Sequence, residues 1–388
     1  MTGKRSTITD VARQAGVSKA TVSAVLNETG AVKDATRERV RGAMELLNYR
    51  PASGAAARSR DAGRRDKSIA LLIKEHDNPY YAGIIDGVRS VCIELGYTVL
   101  VGSSAGEYDT ERRAVELLRA KDVDGLIVTP VLDGHADLSH LFELKRRNFP
   151  FVLLEEIRGV RASLVDVDNV AASRKAVEHL LDLGHARISH LAGPAYSAHS
   201  QQRVNGVRLA YSGSRLALES HTIVTAGAHL EDGYRAGLAL FRGVDAATRP
   251  TAVTCYNDLV AVGLCRALRE LGLVVPDDVS VIGFDDIPLC EYLPVPLTTM
   301  RVPTFEMGEV AARMLLRHVE SKDAVPPQRV DLDATLIVRG STAAPRAVAL
   351  PPGAGPVRGA RVREAVLSMS ASSGGRSHPS SPTPSETA

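Results

Sequence analysis

Between residues 68 and 341 short apolar runs alternate with helix-length segments, and that alternation limits the fold more than any other feature of the chain. The apolar runs fall at 69–73, 98–101, 125–128, 151–154, 188–191, 252–255 and 279–284. Segments of helical length lie between them, at 82–95, 110–121, 171–183 and 259–271 among others. A helix that packs back onto its own sheet returns the next strand in the same direction. The pattern therefore predicts parallel sheets built from strand–helix–strand units. About 275 residues of this texture exceed one comfortable sheet domain, which points to two α/β subdomains over 68–341. Ligands of open parallel sheets sit beyond the carboxyl ends of the strands.

Residues 1–51 read differently. Thr7, with Asp10 three places on, has capping-box register and opens a helix carrying Val11, Ala12 and Ala15 that stops at Gly16. Ser18 caps a second helix through Asn27, with Val22, Val25 and Leu26 on its apolar side. A third is expected over 34–48, where Val40, Ala43, Met44 and Leu47 recur at helical spacing. Three short helices with Gly16-Val17-Ser18 between the first two make an all-α helix-turn-helix unit, closed by Pro51. Residues 52–67, rich in Ala, Ser, Gly and Arg, read as a linker. Residues 342–388, rich in Pro, Ser and Gly, read as a disordered tail without a leucine heptad.

Charge separates the head from the body. Residues 1–67 hold 14 Lys/Arg against 7 Asp/Glu, a net +7, and the remainder holds 33 against 38, a net −5. A basic head implies a polyanionic partner for that part alone; a solvated basic tail is the other reading of charge by itself. The first residues form no apolar leader, and no run approaches the roughly 18 apolar residues of a membrane span, so a cytoplasmic chain with no membrane partner is expected. Cys92, Cys255, Cys265 and Cys290 lack metal-ligand spacing and read as small buried hydrophobes; no metal and no cofactor is called for. No nucleophile elbow, phosphate loop or zinc-binding His-Glu-x-x-His occurs. Asp285-Asp286, as neighbours on a strand end, point apart. An enzyme reading thus has no catalytic residues to stand on.

A helix that reads DNA needs small or polar residues at its N-terminus so that it can seat in the major groove, and donors for the phosphates on either side. Ser18, Thr21, Ser23 and Asn27 suit the phosphates, helped by the partial positive charge of a helix N-terminus, while Lys19 and Ala20 face base edges. From Thr7 to Asn27, and on through Val32, Thr36-Arg37, Val40, Ala43 and Leu47-Asn48-Tyr49-Arg50-Pro51, the chain resembles the DNA-binding head of the lac-repressor (LacI/GalR) family. The similarity continues to about residue 341 through Asn78-Pro79-Tyr80-Tyr81, Val123-Asp124-Gly125, Asp168-Asn169, His179-Leu180, Leu183-Gly184-His185 and Ala192-Gly193-Pro194. Arg203 with Gly206, Asn257-Asp258, Val279 to Asp286 and Pro296-Leu297-Thr298-Thr299 complete it.

The resemblance implies a core like that of periplasmic sugar-binding proteins: two doubly wound parallel-sheet subdomains, crossed several times by the chain, with a small effector between them. It implies DNA contacts from Thr7, Ser18, Lys19, Ala20, Thr21, Ser23, Asn27 and Thr36, and from Arg58 and Arg60 in the linker. Ala24 stands where the family usually has Arg or His, and offers a methyl but no donor. Arg60 stands for the family's hinge Leu, and offers charge to a minor groove but no apolar wedge. The effector positions that carry over are Tyr80, Tyr81, Asp168, Arg203, Asn257 and Asp285, with Glu155 and His199 as secondary lining. Arg203 and Asp285 are expected on opposite sides of the cleft. Rings that stack on C–H faces, with Arg, Asn and Asp for hydroxyls, suit a carbohydrate. The other readings, each the lesser one, are helix caps for Asp168 and Asp285, core for Tyr81 and a surface ion pair for Arg203. The function implied is an effector-controlled repressor acting on double-stranded operator DNA as a homodimer. A regulator with a purine or phosphosugar corepressor, or an activator, is the alternative.

Overall fold

A computed structural model describes residues 7–26, 32–47, 67–132, 137–157, 159–214, 216–219, 222–321, 323 and 325–346. Asn27, Arg58 and Arg60, with nearly all of the linker and residues 347–388, lie outside the described residues.

The head is three helices, α1 (Ile8–Ala15), α2 (Lys19–Leu26) and α3 (Asp34–Leu46). Thr7 starts α1 as the sequence predicts: its backbone N–H and its hydroxyl both donate to Asp10, at 2.9 and 2.6 Å. Gly16 ends α1 at φ 64°, the left-handed turn that glycine adopts without a Cβ penalty. The Ser18 hydroxyl then accepts from the Thr21 N–H at 3.1 Å and opens α2. Val11, Val22 and Val40 are fully buried where the three helices meet, one from each.

The core contains two six-stranded sheets. The first comprises β1 (Ser68–Ile73), β2 (Thr98–Ser103), β3 (Gly125–Val128), β4 (Phe151–Leu153), β5 (Ser163–Val167) and β11 (Arg329–Leu332). Its order is β11-β5-β4-β3-β1-β2 and every pairing is parallel. The second comprises β6 (Ile188–Ala192), β7 (Ile223–Thr225), β8 (Ala252–Cys255), β9 (Ser280–Asp285), β10 (Thr298–Arg301) and β12 (Thr335–Ile337), in the order β12-β10-β9-β8-β6-β7. β12 runs antiparallel to β10, so this sheet is parallel except at that edge.

Both sheets are sandwiched, and the strand residues show it by their two-residue alternation. In β1, Ile69, Leu71 and Ile73 face one apolar cluster while Ala70 and Leu72 face another. Helices α4 (Tyr80–Leu95) and α12 (Thr304–Glu320) cover one face of the first sheet; α5 (Tyr108–Ala120) and α6 (Ser139–Arg146) cover the other. The second sheet lies between α7 (Asn169–Asp182) with α8 (Ala198–Gly213) and α9 (Leu230–Phe241) with α10 (Asp258–Glu270). A short α11 (Leu289–Tyr292) follows β9. Helices α4 and α12 cross backbone to backbone: a Cβ at Gly87 would lie 2.0 Å from the Phe305 carbonyl oxygen.

The chain passes between the sheets three times, from β5 into α7, from β10 into α12, and from β11 into β12. In each sheet the winding reverses between two central neighbours, β1/β3 and β6/β8, the switch points at which such sheets leave a crevice. Residues 342–346, assigned by sequence to the tail, hydrogen-bond to the second subdomain. Ala343 donates to the Ser280 hydroxyl at 3.0 Å and accepts from His185 at 2.8 Å.

Candidate functional site

Two places bring polar residues together. In the head, the turn after Gly16 presents Ser18, Lys19 and Ala20 to solvent at the start of α2, with Thr21, Ser23 and Thr36 half-buried beside them. The hydroxyls of Ser18 and Thr21 are 2.9 Å apart, so one hydrogen of the pair serves the other oxygen and one remains for a phosphate. The Thr7 hydroxyl is spent on Asp10, so its role here is the cap rather than phosphate donation.

In the core, a cleft of about 470 Å³ opens between the carboxyl ends of the two sets of strands. Lys74 follows β1, Thr129 follows β3 and Glu155 lies just past β4; Pro194, Tyr256 and Asp285 answer them from β6, β8 and β9. Of the residues carried over by resemblance, Tyr80, Tyr81, Arg203, Asn257 and Asp285 line it, as do Glu155 and His199.

Asp168 does not. It is exposed and caps α7, its carboxylate accepting from the Ala171 N–H at 2.8 Å, the alternative that its sequence context left open. A second correction concerns Arg203 and Asp285. They share one wall, 4.0 Å apart, because α8 and β9 belong to the same subdomain. Asn257 lines the cleft with a side chain already committed. Its oxygen caps α10 by accepting from Val260 at 2.9 Å, and its amide donates to the Ala228 carbonyl at 2.8 Å.

Arg203 is a buried hub. It donates through Nε to Asn169 at 2.9 Å and through Nη1 to the Tyr256 carbonyl, and its guanidinium lies 3.5 Å over the Phe284 ring. Burial pushes the Asp285 carboxyl well above the ordinary carboxylate range, with Asp258 adding to the rise and Arg203 working against it. The backbone at Asp285 and Asp286 is left-handed, φ 118° and 61°, which costs an L-residue energy and turns the two side chains apart. Asp286 faces Arg301 and Arg339 instead of the cleft. Behind Arg203, His190 is buried and, among the described residues, pairs only with the Thr254 hydroxyl; burial and the nearby guanidinium drop its pKa to about 3, so it stays neutral. Gly193 makes room for the Tyr256 ring, whose carbons a Cβ there would meet at 2.6 Å.

The facing wall holds Lys74 paired with Glu155. Burial raises the Glu155 carboxyl, but Lys74 and His199 outweigh that and hold it at about 2. Glu155 also accepts from the Ser197 hydroxyl at 2.9 Å. Lys74, Ser197, Tyr256 and Asp166 escaped sequence reasoning. Lys74 and Tyr256 each directly follow a recognised strand, so the strand-end rule applied residue by residue finds them. Asp166 sits in β5, whose Ser-Leu-Val-Asp-Val carries too little apolar signal to stand out.

Comparison with known proteins converges on one family. Residues 7–52 match the model of bacterial regulatory proteins of the lacI family, and residues 177–342 match a periplasmic binding protein-like domain. The HTH-type transcriptional repressor PurR of Vibrio vulnificus is 34% identical over 329 residues, covering 82% of this chain and 93% of the relative. The structure of the transcriptional regulator CelR–cellobiose complex matches with TM-score 0.64 at 30% identity, covering 87% of this chain and 100% of that one. The lac repressor dimer bound to operator and the anti-inducer ONPF matches with TM-score 0.64 at 28% identity, covering 88% and 100%. With a basic helix-turn-helix head joined to a two-subdomain core that encloses a polar cleft, the chain belongs to the lacI family of bacterial regulatory proteins and is a DNA-binding transcriptional repressor.

Proposed function

We propose that the cleft binds a small uncharged polyhydroxy ligand, a carbohydrate, and that this ligand controls operator affinity. The observation that carries the reading is the charge of the walls. Glu75, Asp77, Glu155 and Asp285 line the cleft against Lys74 and Arg203, and Lys74 is already paired. A phosphosugar would find Lys74 already neutralised by Glu155 and Arg203 already donating to Asn169 and Tyr256, so neither cation is held for a dianion. Hydroxyls, which both donate and accept, match such a lining, and a raised Asp285 carboxyl can itself donate or accept. The rings of Tyr80 and Tyr81 stand edge to face at 79°, so they offer a planar purine no slot between parallel faces. The cellobiose-bound relative agrees with this choice.

The head acts as one of a pair in a homodimer, each second helix reading half of a pseudo-palindromic operator. Ser18, Lys19, Ala20, Thr21 and Ser23 are the contact residues of α2. Ligand-driven closure changes the spacing at which the two linkers leave the cores, and with it the register of the heads. The ligand shifts the equilibrium only by its differential affinity for the two states, commonly about 1–3 kcal/mol.

The test is a thermal-shift panel of cellobiose, D-ribose, glucose 6-phosphate, hypoxanthine and guanine, because a ligand of the folded state stabilises it by RT ln(1 + [L]/Kd). A neutral sugar should raise the midpoint and weaken binding to a selected operator, and operator should weaken sugar binding by the same factor. Stabilisation by a purine or the phosphosugar alone overturns the carbohydrate reading. Affinity for the selected duplex that does not fall with salt overturns the DNA reading.

A further inference from the structure

Three polar bridges join the two walls of the cleft, and two of them are histidine against carboxylate. Ser197 donates to Glu155 at 2.9 Å; His199 Nε2 lies 2.9 Å from Asp166 Oδ1; and His229 Nε2 lies 3.5 Å from Glu75 Oε1 at the mouth. Each bridge pairs the second subdomain with the first, since Ser197, His199 and His229 begin α8 and α9 while Glu75, Glu155 and Asp166 end β1, β4 and β5.

The inner histidine bridge has an unbalanced partner. Asp166 is buried, its side chain 1% exposed. Its Oδ1 accepts from the Val167 N–H at 2.7 Å and from Asn169 at 3.4 Å, while Oδ2 is buried with no hydrogen-bond partner among the described residues. A carboxylate so placed lacks a cation of its own, and the imidazole 2.9 Å away is the group that can supply one.

We propose that His199 and Asp166 form a proton-operated latch, in which protonation of the imidazole holds the two subdomains together and its loss lets the cleft open. The charged and titratable groups facing His199 are Asp166 from β5, Glu155 from the end of β4, and Arg203 further along α8. Burial alone pulls the imidazole below its ordinary value; Asp166 and Glu155 raise it more than burial and Arg203 lower it, so the net direction is up. In the open form the histidine faces solvent and returns toward its ordinary value of about 6.5. The latch therefore contributes fully below about pH 6.5 and is lost as pH rises through the elevated closed-state value. The closed form gains about tenfold in relative population for each unit by which its pKa exceeds that of the open form.

Hydrogen exchange in the full chain, with neither DNA nor ligand, tests the latch separately from the carbohydrate reading. Amides over 163–170 and 194–203 are followed in the parent and in His199→Gln, whose comparison at each pH cancels the intrinsic pH dependence of exchange. At about pH 6 the variant should exchange these amides several-fold faster, and the gap should narrow as pH rises above about 6.5. Asp166→Asn should behave likewise. An equal offset at every pH would assign His199 a packing role alone, and no offset at all would remove it from closure; either overturns the proposal. Titration of the His199 imidazole by magnetic resonance in the unsubstituted chain needs no variant to fold. A midpoint at or below about 6.5 overturns the latch as well.

Discussion

The two walls of the cleft rise from sheets wound in the same order, yet they hold their charges by different means. On the wall from β6, β8 and β9, Arg203 is fixed by its own subdomain: Asn169 and the Tyr256 carbonyl take its donors, Phe284 covers its face, and Asp285 stands on strained backbone beside it. On the wall from β1, β4 and β5, Glu155 and Asp166 reach across to Ser197 and His199. One wall is held from within its own subdomain, and the opposite wall adds bonds that cross the cleft. On the proposed closure, the difference divides labour: a rigid face to orient a ligand, and a facing surface whose bonds report closure.

Arg203→Ala is the strongest challenge to that division. It leaves the Asn169 side-chain oxygen and the Tyr256 carbonyl without their donor, and each buried acceptor left unsatisfied costs about 1–3 kcal/mol. Chemical denaturation should show a loss of that order together with a lost effector response, while operator affinity of the remaining folded protein stays near that of the parent. A loss under about 1 kcal/mol would mean that this wall is not preorganised by Arg203.

Glu155→Gln should cost less, about 2–3 kcal/mol near neutrality, because Lys74 keeps partial access to water at 22% exposure. The sign follows from the lowered carboxyl. Its contribution is present above the ordinary value of about 4.3 and fades as pH falls through about 2. Stability curves of parent and variant should therefore approach each other in acid. Curves that stay parallel down to about pH 2 would exclude ion pairing as the cause.

Asp285→Asn should move stability the other way. A carboxyl whose folded value is raised gives its full contribution below the ordinary value of about 3.9 and loses it as pH climbs. The asparagine variant should thus show a higher denaturation midpoint than the parent at neutral pH, with the gap closing towards about pH 4, and Asn tolerates the left-handed backbone as Asp does. A lower midpoint at neutral pH would show that Asp285 is held ionised by Arg203.

The same contrast explains what the sequence disclosed. The head was legible nearly to the residue, because capping and turn chemistry are local: Thr7, Asp10, Gly16 and Ser18 sit where their residue types demand. Strands β3 and β8 were legible because both are buried on two faces and read as unbroken apolar runs. The edge strands β7, β11 and β12, of three or four residues and half wetted, gave no such signal. Arg203 and Asp285 were legible as cleft residues through resemblance, but their common wall was not, since that depends on which sheet each element joins. Asp168 and Asp166 show the same limit. Two positions apart, one caps a helix in solvent and the other is buried across the cleft from His199.

Ser197→Ala should have the smallest effect and is the most discriminating. The hydroxyl donates to Glu155 at 2.9 Å across the cleft, and its oxygen also caps α8 by accepting from the Ser200 N–H at 3.4 Å. A net hydrogen bond to a charged group is worth about 1.5–3 kcal/mol, and a cap about 1 kcal/mol. Lys74 still neutralises Glu155 in the variant, so a total near 1 kcal/mol is expected, well below that sum. If the facing wall is completed only on closure, most of this loss belongs to the closed form. Amides beside Glu155 and at the start of α8 should then exchange faster while the global unfolding midpoint barely moves. Replacing Ser197 by Thr, which keeps both the hydroxyl and the cap, should restore protection. A midpoint that falls by the full amount, with exchange at the cleft unchanged, would show that Ser197 serves only α8 and that the two walls are equally self-contained.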